Sequence, residues 1–173
     1  MDLAEKVSDK KVIEAINAKI ESLKKEAEQI VGSYWAYVEE SNEVLFAEKK
    51  RGERIKEKPI NVGPRLERSP SGQYTKFKPV WTQYVLKRRK TGKPLPSDKY
   101  GERIHPKANK EYSLSTLVRR GVGRDASKII EAEKKLMVIR ESLEVHHEMI
   151  VALNRRIKRV NRINNVYNEV TND

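Results

Sequence analysis

The sequence predicts an α+β protein: two long coiled-coil-like helices, N- and C-terminal, flanking a small basic antiparallel β-meander. Three observations carry that prediction. Apolar residues recur in alternating steps of three and four at both ends of the chain, the period of a helix seam. All seven prolines fall between residues 49 and 124, where helix grammar gives way to short alternating runs and turn residues. The excess positive charge sits in that same middle segment. Residues 49–124 carry 22 Lys and Arg against six acids, whereas residues 1–48 are net negative and residues 125–173 nearly neutral. The chain divides accordingly into an N-terminal long helix (1–48), part of a helical hairpin, a basic β-rich nucleic-acid-binding segment (49–124) and a C-terminal heptad helix (125–173).

The first helix is marked by Ile13, Ile16, Ile20, Leu23, Ala27, Ile30, Tyr34 and Tyr37. Gly32-Ser33 is a point at which it can bend or cap, with a second helical stretch to about Ala47 ending near Gly52. Trp35, beside Val31 and Val38, is expected in the core rather than as a surface stacking platform. From Pro59 the pattern changes. Ile60, Val62 and Leu66 form one strand, Ser69-Pro70-Ser71-Gly72 a turn, and Tyr74 through Arg89 a second strand. Pro64 and Pro79 cannot donate to a ladder and are expected at edges or bulges. Thr91 to Asp98 reads as a loop, Tyr100 to Ile104 as a third strand, and Lys107 to Lys110 as a turn. Ser113 can cap a short helix from Leu114 to about Arg120, stopped by Gly121 and Gly123. Asp125 is a suitable N-cap for the last helix, to about Asn168. Its seam is the clearest: Ile129, Leu136, Leu143, Ile150 and Ile157 repeat every seven residues, interleaved by Ala132, Ile139, His146, Leu153, Val160 and Tyr167. The two seams can pair within one chain or between two, so a homodimer stays open, with His146 and Asn164 as polar register positions.

Composition narrows the function. The chain is 37% apolar and 36% charged, enough for a modest core in an elongated molecule. There is no cysteine, so thiolate metal sites and thiol catalysis are excluded and a cytoplasmic location fits. The N-terminus lacks a signal-peptide pattern, and no run is long and apolar enough for a membrane span. His146-His147 are adjacent, whereas metal ligands on one helical face need a spacing of three or four. The acids Glu131, Glu133, Glu141, Glu144 and Glu148 read as a solvated helix face rather than a catalytic carboxylate pair. No catalytic residue, metal or cofactor is expected, and the protein is expected not to be an enzyme.

The bases point to a polyanion. Arg65, Arg68, Lys76, Lys78, Lys87, Arg88, Arg89, Lys90 and Lys93 cluster on the inferred hairpin, and Arg103, Arg119, Arg120 and Arg124 extend the set. So concentrated a charge repels itself in the folded state unless a partner neutralises it, and nucleic acid is the first such partner. A secondary basic patch, Arg155, Arg156, Lys158, Arg159 and Arg162, lies on the last helix, suited to nucleic acid or an acidic protein.

The motifs Tyr34-Trp35-Ala36-Tyr37-Val38, Val62-Gly63-Pro64-Arg65, Trp81-Thr82-Gln83-Tyr84, Tyr112-Ser113-Leu114 and Ile139-Arg140-Glu141-Ser142-Leu143-Glu144-Val145-His146 resemble the MobI family over residues 33–160. These are small proteins encoded near the origin of transfer of conjugative plasmids and related mobile genetic elements. The resemblance implies double-stranded DNA as the polyanion, an origin of transfer as the site, and a role as auxiliary to a relaxase or other conjugation protein in the relaxosome. It supplies no catalytic residues. Two readings from other classes stand beside it: an adaptor or anti-defence inhibitor with an acidic protein partner, and an RNA-binding module.

Overall fold

A computed structural model describes residues 3–52, 56, 58–68, 77–84, 101–107, 111–121 and 126–170, with the side chains of 3–7 and 166–170 outside the description. The architecture is α+β, in the order α1 (Leu3–Lys50), β1 (Val62–Glu67), β2 (Lys78–Tyr84), β3 (Gly101–Arg103), α2 (Leu114–Arg120) and α3 (Ala126–Val170). The expected turns at 69–72 and 91–98 and the Asp125 cap lie outside the described residues.

The long helices pack antiparallel within one chain along the seams read from the sequence. Ile16, Ile20, Leu23 and Ala27 of α1 meet Leu136, Ile139, Leu143 and Ile150 of α3, with Phe77 filling in beside them. His146 is half-buried on this seam, and its Nδ1 lies 2.6 Å from the Ser142 carbonyl of its own helix. The N-terminal helix is one unbroken α1 rather than two segments. A mid-helix glycine costs only about 1 kcal/mol relative to alanine, and Ala27, Tyr34 and Val38, all buried, hold the turns on both sides of Gly32. The helix ends where Lys49 and Lys50 complement the negative end of its dipole and Gly52 takes a left-handed turn at φ 85°.

The sheet has the order β1-β2-β3, antiparallel throughout, with Pro64 opposite Trp81 and Leu66 opposite Pro79. Tyr84 N–H donates to the Asn61 carbonyl at 2.7 Å, which fixes the phase of the ladder. Both prolines therefore fall on pairs that exchange no ladder bonds, so their missing donors cost nothing there. Pro64 lies on the edge strand as expected. Pro79 lies on the middle strand, in a stretch β3 does not reach, because β3 pairs only with Thr82 to Tyr84.

The free edge of β1 is covered by side chains of α1. Asn42 holds Ile60 from both sides, accepting from its N–H at 2.8 Å and donating to its carbonyl at 3.1 Å. Tyr34 donates its hydroxyl to the Val62 carbonyl at 2.9 Å, and Trp35 donates its indole N–H to the Pro64 carbonyl at 2.8 Å. Polar side chains thus take the place of a fourth strand, which removes an exposed edge that would invite foreign strands. Gly63 allows the close approach: a Cβ there would lie 2.3 Å from the Trp35 ring. Trp35 is half-buried against this edge rather than enclosed in the core. The enclosed tryptophan is Trp81, 0% exposed, in a cluster with Tyr34, Val38, Ile60, Val62, Ile104, Tyr112, Leu117 and Ile129.

Ser113 occupies the N-cap of α2 with an extended backbone, but its hydroxyl pairs with that of Ser115 at 2.9 Å instead of a backbone N–H. Gly121 ends α2, its N–H donating to the Leu117 carbonyl at 2.8 Å.

Candidate nucleic-acid interface

Strand alternation sorts the sheet's side chains onto two faces. Val62, Pro64 and Trp81 share one face with Ile104, and it packs into the helical core. The other face carries Arg65, Glu67, Lys78 and Arg103 around Val80 and Thr82, which are fully buried. Glu67 is held between two arginines, Arg65 Nη2 at 2.5 Å and Arg103 Nη1 at 3.2 Å. Both arginine side chains keep more than a third of their surface in solvent, although the Nε atom of each is buried, and Lys78 is half-buried nearby. Among the described residues of this face three bases stand with one acid, and the ion pairs to Glu67 fix Arg65 and Arg103 in one orientation.

A second basic surface forms where α2 ends beside the sheet. Lys58, Pro59, Asn61, Gln83, Arg119 and Arg120 line a groove of about 390 Å³. Arg120 donates from Nη1 to Gln83 Oε1 at 3.1 Å, which ties the helix end to β2. Arg119 and Lys58 are exposed. Three cations and two amide side chains around one groove suit phosphate oxygens with hydrogen-bond partners beside them.

Beneath these surfaces lies a buried polar network. Trp81 donates its indole N–H to Glu133 Oε2 at 2.6 Å. Arg140 Nη2 donates to the other oxygen of Glu133. The Arg140 guanidinium also lies 4.9 Å from the centre of the Tyr112 ring, and Trp81 N–H reaches the Tyr112 hydroxyl at 3.4 Å. Burial raises the Glu133 pKa above the ordinary carboxylate value, and the Arg140 charge and the Trp81 bond pull it back. Burial also raises the Tyr112 hydroxyl. The network joins α3 to β2 and holds the basic surfaces on the helical frame. Glu133 is not on a solvated face as the sequence suggested: it is 3% exposed. It adjoins the seam position Ala132, and Arg140 seven residues later stands on the same flank two turns away. A Glu–Arg pair at that spacing was the signal available in the sequence.

Of the expected DNA contacts, Arg65, Lys78 and Arg103 come together on one face, and Arg119 and Arg120 on the groove. Arg68 is exposed just past β1. Lys76, Lys87, Arg88, Arg89, Lys90, Lys93 and Arg124 lie outside the described residues. The secondary patch, Arg155, Arg156, Lys158, Arg159 and Arg162, is exposed on α3 but stands apart. Arg155 is 22 positions along the helix from Glu133, roughly 33 Å at 1.5 Å per residue. Arg156 there is 3.5 Å from Asp9 of α1. Lys58, Asn61 and Gln83 were not singled out from sequence, because only folding brings them to the end of α2. Among the described residues no three His, Asp or Glu gather as a metal-holding group, and no helix is long and apolar enough to cross a membrane.

No curated protein and no solved structure matches the chain. The model of the MobI protein family matches residues 23–154, about three quarters of the sequence. The residues that carried the resemblance converge in space: Tyr34 and Trp35 on the β1 edge, Gly63 beneath Trp35, and Trp81, Tyr112 and Arg140 around Glu133. The chain belongs to the MobI family.

Proposed function

We propose that this protein is a non-enzymatic DNA-binding auxiliary of conjugative transfer, which grips double-stranded DNA at an origin of transfer and assists recruitment of the relaxase. Family membership supports the link to conjugative transfer. The observation that carries the DNA reading is the convergence of Lys58, Arg119 and Arg120 on one groove, beside a sheet that carries Arg65, Lys78 and Arg103 on one face. Bases fixed on strands and at a helix end meet phosphates at fixed spacing. Gln83 and Asn61 add amides, which can bond phosphate or a base edge. The long helices act as a rigid frame, and the site of action is the cytoplasm, where transfer DNA is processed.

The test is a mobility-shift series with origin duplex, random duplex, single-stranded DNA and RNA, all at one stated salt concentration. Binding to duplex DNA ahead of single strands and RNA, with a preference for origin sequence, is expected. A preference for RNA or single strands would replace this reading with the RNA-binding one. No shift with any nucleic acid would leave the acidic-protein adaptor as the better account.

A further inference from the structure

The back of α3, turned away from α1, is the least explained surface of the described structure. Val138, Val145, Met149 and Ile163 are 60%, 54%, 45% and 49% exposed, and Ala152 is exposed between them. Their spacing places all five on one stripe of the helix, roughly opposite Leu136, Leu143 and Ile150 of the inner seam. The one charged residue within the stripe, Arg156, has its guanidinium near Asp9. Its aliphatic stem can therefore remain on the stripe.

The charges beside the stripe are ordered. Glu141, Glu144 and Glu148 lie before its midpoint, and Arg155, Arg159 and Arg162 lie after it on the same flank, all exposed. A second α3 laid parallel about a twofold axis would carry this flank to the far side of the pair, where its charges meet no complement. Laid antiparallel about a twofold axis between Ile150 and Val151, every element finds a complement. Val138 comes opposite Ile163 of the second copy, Met149 opposite Ala152, and Val145 opposite the stem of Arg156. Glu141 comes opposite Arg159, and Glu148 beside Arg155. Such an isologous match satisfies both copies at once.

We propose that this face is a dimer interface, occupied by the same face of a second copy of the chain in an antiparallel α3–α3 pairing. The inner seam stays within each chain. The outer stripe spans 25 residue steps, roughly 38 Å of helix, long enough for a short coiled coil. The secondary basic patch thereby acquires a role distinct from DNA. The two sheets lie at opposite ends of the dimer, with the Glu133 positions about 50 Å apart along the helix axes.

Sedimentation equilibrium of the full chain tests the proposal, and its readout is mass, independent of any DNA binding. Wild type is expected to be a dimer at tens of micromolar. Glu141→Arg with Glu148→Arg sets four like positive pairs across the twofold axis, and Arg155→Glu with Arg159→Glu sets four like negative pairs there. Each doubly reversed chain should dissociate with a constant raised at least roughly tenfold, because four attractive contacts become repulsive. An equimolar mixture of the two should recover wild-type dimerisation. Circular dichroism should be unchanged throughout, since all four positions are exposed. A monomeric wild type overturns the proposal, as does a dimer indifferent to both reversals or a mixture that stays monomeric.

Discussion

Replacing Arg140 with leucine is expected to destabilise the fold by about 3–5 kcal/mol at neutral pH, the usual cost of removing one partner of a buried ion pair. The Arg140 and Glu133 side chains are 8% and 3% exposed, so solvent cannot compensate the carboxylate that remains. The effect should depend on pH in a definite direction. The folded pKa of Glu133 already lies above its ordinary value because of burial. For an acid so shifted, folding favours the protonated form. That contribution is fully present below the unfolded pKa and is lost as pH rises through the folded one. Removing Arg140 takes away the largest influence opposing the rise. The loss of stability in the variant should therefore shrink as pH falls toward 4, where Glu133 can take a proton. Urea unfolding at neutral pH and near pH 4 measures this. Adding Glu133→Gln to the variant should recover part of the loss, because a neutral amide oxygen still accepts from Trp81. A cost below about 1 kcal/mol that does not vary with pH would show that the network does not hold α3 to the sheet.

Leu143→Asp should remove cooperative folding of the helical hairpin. Leu143 is 4% exposed among Ile20, Leu23, Leu136 and Ile139. Truncation alone at such a site costs about 2–5 kcal/mol, and a buried unpaired carboxylate adds several more. A whole domain of this kind holds only about 5–15 kcal/mol. Far-UV circular dichroism should show most of the helical signal gone or melting without a sharp transition. The matched control is Val145→Asp, two residues on but 54% exposed on the outer face, which should keep the helical signal and affect only dimerisation. Equal damage from both would contradict the division of α3 into inner and outer faces.

The contrast between Leu143 and Val145 also marks what the sequence could reveal. Heptad spacing located the inner seams, because a helix buried along one stripe must repeat its apolar residues at that period. The third strand and α2 were readable from their alternation, Ser113 and Gly121. The outer stripe was not, since Val145 and Met149 taken singly are ordinary exposed residues, and their alignment has meaning only once α1 has claimed the other face. The edge contacts were equally hidden. Asn42 sits 18 positions from Ile60 and Trp35 29 from Pro64, and no local rule connects residues so distant. Glu133 was misread because a helix position beside a seam is buried or solvated according to what packs there, and Trp81 arrives from another part of the chain. The basic segment was legible as charge, but which bases share a surface depended on the register that sets Arg65 and Arg103 around Glu67.

The most direct test of the DNA-binding account is the salt dependence of duplex affinity for wild type and for Arg119→Ala with Arg120→Ala. Each phosphate contact contributes about 0.9 to the slope of log K against log salt for duplex DNA. If both arginines hold phosphates, the folded double variant should bind every duplex more weakly, with a slope smaller by roughly 1.8. An unchanged affinity and slope in the folded variant would contradict the assignment of DNA to the groove between α2 and the sheet.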